Sequence, residues 1–154
     1  MFDIVVGIDP GKSGGMAYID MRDNSYAAIK MPDTERDIID ELRTLLSIGK
    51  PVVYLEKVHS MPKQGVKSSF TFGQGYGFLR GSILGNEVRL ENVRPQTWQK
   101  CLGCMSKGDK NVTKAKAQEL FPDLKITHAI ADALLIAEFG KRAEALNQQF
   151  TSSP

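Results

Sequence analysis

Cysteine and histidine are each present only twice in this 154-residue chain, and tryptophan once. Two cysteines cannot build a disulfide scaffold, so a reducing, cytoplasmic setting is the expectation. Long apolar runs are also missing near the N-terminus. Ile4-Val5-Val6-Gly7-Ile8 runs straight into Asp9, and no basic segment precedes it. A membrane span or signal-peptide core is therefore not expected there. What is present, 42% hydrophobic and 25% charged residues, suits one globular domain that buries about two-thirds of its unfolded surface.

Net charge is low as well, at +2, but it is unevenly spread. Residues 57–116 carry 11 Lys/Arg against three acids, a local balance of +8, and the rest of the chain carries nine against 15, a balance of −6. A basic middle between acidic flanks suits a polyanion held against a carboxylate-bearing site. A lysine-rich solvated face would give the same composition, so the motifs have to decide.

No repeat, low-complexity block or long linker divides the chain. Residues 2–8 read as a buried strand, and Asp9-Pro10-Gly11-Lys12-Ser13-Gly14-Gly15 as a tight turn. Residues 16–20 and 25–30 complete a three-stranded meander. Apolar positions Ile38, Ile39, Leu42, Leu45 and Leu46 predict an amphipathic helix after Asp33-Thr34-Glu35. Residues 51–56 read as a second buried strand parallel to the first. Helices are expected over 69–84, 97–101, 114–121 and 128–146, with a strand over 87–93. The resulting architecture is α/β, with a mixed central sheet flanked by helices. One domain over residues 1–147 and a frayed tail over 148–154 are expected.

Three acids stand where acids are costly. Asp9 and Glu56 each end an apolar strand, and Asp132 sits within Ala129-Ile130-Ala131-Asp132-Ala133-Leu134-Leu135-Ile136-Ala137. A carboxylate near a core must be paired, hydrogen-bonded or bound to a cation. Neighbouring strand ends lie about 5 Å apart, close enough for two acids to share an ion. His128 and Asp132, spaced i, i+4, share one helix face. An oxygen-rich donor set favours Mg²⁺ or Mn²⁺, and two such ions suit phosphodiester cleavage. Each acid taken alone reads equally well as a cap or ion pair, and His128 as a first-turn histidine with a local hydrogen bond.

The residues carry a family resemblance. The segment from Ile4 through Asp9-Pro10-Gly11 to Gly15 resembles the opening of RuvC-type Holliday-junction resolvases. Val53-Tyr54-Leu55-Glu56 resembles their second acidic strand, and Phe72-Gly73-Gln74-Gly75-Tyr76-Gly77 the Gly-Gln helix after it. Val93-Arg94-Pro95-Gln96-Thr97-Trp98 is similar to the segment before their basic helix, and Asp132-Ala133-Leu134-Leu135-Ile136-Ala137 to the closing acidic helix. Order and spacing agree from Ile4 to Ala137. The resemblance implies an RNase H-like fold with a five-stranded mixed sheet and a homodimer that nicks four-way DNA junctions symmetrically. It also implies Asp9, Glu56, His128 and Asp132 as ligands of two divalent ions per site, with no organic cofactor and no membrane partner. A small stand-alone resolvase of this kind suits a bacterial or phage-infected cell. In one respect the chain departs from bacterial RuvC, which commonly has an aspartate where Ala129 stands here. His128, four residues before Asp132, is instead similar to the pattern of the chloroplast resolvases.

Lys12 in the glycine turn, and Lys57, Lys63 and Lys67 after the second acidic strand, are candidate phosphate contacts. Phe70 is a candidate for stacking on junction bases, with a helix-core role for Phe70 and Phe72 as the competing reading. Lys107, Lys110 and Lys114 lie in a basic, glycine-containing loop read over 105–116, where one lysine is expected to stabilise transition-state charge. Cys101-Leu102-Gly103-Cys104 lacks further zinc ligands nearby and reads as two small hydrophobes. Two other functions compete: a junction-binding module without cleavage, and an actin-like ATPase domain suggested by the Asp-x-Gly-x-x-Gly turn. The ATPase class needs two such domains, and the chain has room for one.

Overall fold

The computed structural model describes residues 1–59 and 63–152. The first apolar run forms β1 (Ile4–Asp9), followed by β2 (Gly15–Asp20) and β3 (Tyr26–Lys30). Both connections are antiparallel and in register, with Asp9 opposite Gly15 and Gly15 opposite Lys30. Helix α1 (Glu35–Leu46) begins where the Thr34 hydroxyl accepts from the Asp37 N–H at 3.1 Å. It returns the chain to β4 (Pro51–Glu56), which pairs parallel to β1. Helix α2 (Val66–Gly85) leads to β5 (Arg89–Val93), parallel to β4 and ending with Val93 opposite Glu56. Three helices follow: α3 (Pro95–Leu102), α4 (Lys110–Leu120) and α5 (His128–Thr151). The sheet order is β3-β2-β1-β4-β5.

Alternation along the central strands assigns side chains to two cores. Ile4, Val6 and Ile8 of β1, with Val53 and Leu55 of β4, pack against Leu42 and Leu45 of α1 and Leu79 and Ile83 of α2. Val5 of β1, with Val52 and Tyr54 of β4, packs on the opposite face with Trp98, Leu102, and Ala131 and Ala133–Ala137 of α5. Gly7 belongs to this second face. A Cβ there would lie 2.3 Å from the Ala133 carbonyl oxygen and 2.4 Å from the Ala137 nitrogen. Gly15 is similarly close to α5, where an added Cβ would sit 2.5 Å from the Ala129 carbonyl oxygen. Helix α5 thus lies with its backbone nearly on the sheet, its N-terminal turn over the end of β1.

At its other end α5 carries a buried acid that the sequence reading did not single out. Glu144, 3% exposed, accepts a hydrogen bond from the Tyr54 hydroxyl at 2.7 Å and pairs with Arg89. The acid ties α5 to β4 and β5 together, and its two partners offset the cost of burying its charge.

Several boundaries differ from the sequence expectation. Helix α4 starts at Lys110 rather than 114, because the Asp109 carboxylate caps it by accepting from the Asn111 N–H at 2.9 Å. Half of the expected basic loop is therefore helix. Helix α2 starts at Val66, and α3 at Pro95, a residue suited to the first helical position. The expected frayed tail over 148–154 is helical as far as Thr151, since no glycine or proline stops α5 after Gly140. Among the described residues no helix is long and apolar enough to cross a membrane.

Gly7→Ala should cost the fold about 3 kcal/mol or more, since backbone, not a pliable side chain, opposes the new methyl. A urea midpoint near that of the unsubstituted protein would contradict this close approach.

Candidate active site

The alternation that builds the two cores also places the acids. Asp9 continues the series Val5, Gly7 on the α5 face of β1, and Glu56 continues Val52, Tyr54 on the same face of β4. Both stand at the C-terminal ends of adjacent parallel strands. Asp132 immediately precedes Ala133, whose carbonyl lies over Gly7, so α5 carries it toward the same spot.

The three acids lie near enough to feel one another's charge. Burial, then the charges of Glu56 and Asp132, push the Asp9 carboxyl up to about 8. Burial raises Glu56 to about 7, against the hydrogen bond from Trp98, with Asp132 adding to the rise. Asp132 is also raised by burial, against a hydrogen bond from Thr113 and the charges of Lys110 and His128. Lys110, the first residue of α4, is the lysine whose charge opposes the rise at all three acids. His128 opens α5, is exposed, and acts on Asp132.

These side chains do not close around a point. Among the described residues no group of three or more His, Cys, Asp or Glu is gathered tightly enough to hold a metal ion. Glu56 Oε2 instead accepts from Trp98 Nε1 at 2.8 Å, and the buried Thr113 hydroxyl, which donates to the Lys110 carbonyl at 3.3 Å, helps hold the Asp132 carboxyl down. The chemistry of the donor set nevertheless fits a hard divalent cation: three carboxylates, partly desolvated and mutually repelling, with one lysine nearby.

The remaining candidates are spread over several elements. Lys57 directly follows Glu56, and its N–H donates to the Val93 carbonyl at 2.7 Å, leaving its side chain exposed. Lys63 and Lys67 are exposed on either side of the start of α2, while Ser60, Met61 and Pro62 of the same expected loop lie outside the described residues. Lys12 and Lys67 line a cleft of about 580 Å³ between the β1–β2 turn, α1 and α2, with Phe72 and Tyr76 on its wall. Phe70 is 73% exposed, so it is not a helix-core residue. Lys107 is exposed in the turn before α4, and Lys114 is half-buried one turn beyond Lys110. Cys101 is exposed and Cys104 buried, both as free thiols.

The sequence reading missed Trp98 and Thr113 as partners of the acids and did not single out Lys110 among the lysines. Only the chain's lone tryptophan, standing two residues after Gln96 in the Val-x-Pro segment, offered a signal.

In metal-free protein, folding favours the protonated form of Asp9. Its contribution to stability is full below about pH 4 and is lost as pH rises toward about 8, from the shift between 3.8 and about 8. The melting temperature in EDTA should therefore fall over that range, and Asp9→Asn should reduce the fall and raise stability at the alkaline end. An identical pH profile for the two proteins would show that the acids are not crowded.

No family model matches the chain, and no curated protein does. Among solved structures, Thermus thermophilus RuvC superposes with a TM-score of 0.64 at 15% identity, over 92% of this chain and 96% of that one. T. thermophilus RuvC in complex with a Holliday junction substrate superposes with a TM-score of 0.63 at 17% identity, over 92% and 95%. The chain has the RNase H-like fold of RuvC, across nearly the full length of both.

Proposed function

We propose that the chain is a divalent-metal-dependent, structure-selective endonuclease that resolves four-way DNA junctions. The observation that carries this reading is the convergence of Asp9, Glu56 and Asp132 from two strand ends and α5, within the fold of RuvC. The T. thermophilus RuvC that shares this fold is described in complex with a Holliday junction substrate, which supports branched DNA as the substrate here.

Asp9, Glu56, Asp132 and His128 would hold Mg²⁺ or Mn²⁺, two ions per site, which when bound neutralise both oxygens of an in-line phosphodiester displacement. The chain's own residues have separate tasks. Lys110 offsets the acids and stands where it can also stabilise charge developing on the scissile phosphate. Lys12, Lys57, Lys63, Lys67, Lys107 and Lys114 offer phosphate contacts. Phe70 presents a free aromatic face to unpaired bases at the exchange point.

Two symmetric cuts require two sites related by a twofold axis, hence a homodimer. Gly73, Gly77 and Gly81 recur at every fourth position of α2, and, the adjoining backbone of the helix aside, no atom lies within 4 Å of a Cβ built on any of them. That open face suits close approach by the same helix of a second copy.

With an immobile four-way junction and Mn²⁺ or Mg²⁺, the protein should introduce paired nicks on opposing strands and spare linear duplex. Asp9→Asn should lower cutting by about a thousandfold, and Lys110→Ala by about a hundredfold, each with junction binding retained. Binding without nicks in either metal would replace this reading with a junction-binding module. Undiminished cutting by Asp9→Asn would refute the site assignment.

A further inference from the structure

We propose that Trp98 is a positioning residue for Glu56, fixing the carboxylate so that one defined oxygen is presented to a divalent cation. The inference rests on the reading of Glu56 as a cation ligand.

Glu56 ends β4, and its backbone is held against β5 at the strand end. Val93 is its register partner, and the following Lys57 N–H extends the ladder by donating to the Val93 carbonyl at 2.7 Å. The side chain still has several rotatable bonds, so the backbone alone does not aim the carboxylate. Trp98 supplies the missing constraint. Only Arg94 separates β5 from α3, whose first residue is Pro95, so the ring enters the sheet from just beside the register partner of Glu56. The indole is 0% exposed and packed within the core on the α5 face. Its Nε1 donates to Glu56 Oε2 at 2.8 Å.

The chemistry of this contact is specific. An indole N–H is a donor only, so Trp98 cannot itself ligate a cation or accept a proton. A single N–H orients one carboxylate oxygen and leaves lone pairs on the other for a metal. A ring immobilised in the core holds that orientation at little further entropic cost. Donors behind a ligand characteristically tune affinity in this way, and their removal typically weakens metal binding about 10–100-fold.

Because the chain has one tryptophan, its emission reports on the surroundings of Trp98, which include this contact. Titrating EDTA-stripped protein with Mg²⁺, without DNA, should shift Trp98 emission saturably. Glu56→Gln, which keeps the indole, should abolish that shift. Trp98→Phe keeps a ring and removes the N–H. By calorimetry it should bind Mn²⁺ about tenfold more weakly. In junction cleavage its half-saturating Mn²⁺ should rise by more than the maximal rate falls, whereas a merely structural defect would lower the rate without moving the metal dependence. Unchanged Mn²⁺ affinity in folded Trp98→Phe overturns the proposal. If that variant does not fold, the emission of the unsubstituted protein decides: cation binding by calorimetry with no emission change also overturns it. Absence of any cation binding by the unsubstituted protein overturns the endonuclease reading itself, and this inference with it.

Discussion

The contact between the backbone of α5 and β1 at Gly7 sets the geometry of everything around it. With no side chain at residue 7, the Ala133 carbonyl and Ala137 nitrogen approach the strand far more closely than ordinary helix-on-sheet packing allows. Asp132 is one residue from Ala133 and Asp9 two residues from Gly7, so this approach decides how near the two carboxylates come. At the far end of the helix, Glu144 with Tyr54 and Arg89 fixes the position of α5 along the sheet. The helix is thus held by a steric fit near the site and by a buried ionic contact away from it.

The consequence is electrostatic. Three acids stand close enough to feel one another's charge where water is partly excluded, and the fold answers with only modest compensation: one lysine, one histidine, one indole N–H and one hydroxyl. Such an arrangement weakens the metal-free protein and favours whatever brings positive charge to the centre. A divalent cation does so most effectively, and a phosphodiester can then approach without meeting unbalanced carboxylates. In the proposed reading, the exposed lysines and Phe70 would extend the same logic to the backbone and bases of DNA.

Much of this was legible in the sequence because period-two alternation is a strong signal. An acid directly after Ile4–Ile8, and another after Val52–Leu55, had to stand at strand ends, and Asp132 stood out against alanines and leucines. The meander, the parallel β1–β4 pair and the order of the elements follow from the same patterns. The rest depended on contacts between distant segments. Nothing local distinguishes Glu144 from other polar positions of α5; it is buried because Tyr54 and Arg89 face it across the sheet. Trp98 reads as one more core aromatic until β4 and β5 are in register. The early start of α4 turns on a single cap, Asp109, inside a segment whose glycine and lysines otherwise suggest a loop.

The central claim is that Asp9, Glu56 and Asp132 form one centre that holds a pair of cations. Electron paramagnetic resonance of the protein loaded with Mn²⁺ tests it without requiring any DNA. The account predicts two ions about 4 Å apart, seen as a spin-coupled pair that is lost in Asp132→Asn. Isolated, uncoupled Mn²⁺ with the same occupancy in the unsubstituted protein and in Asp132→Asn would contradict it.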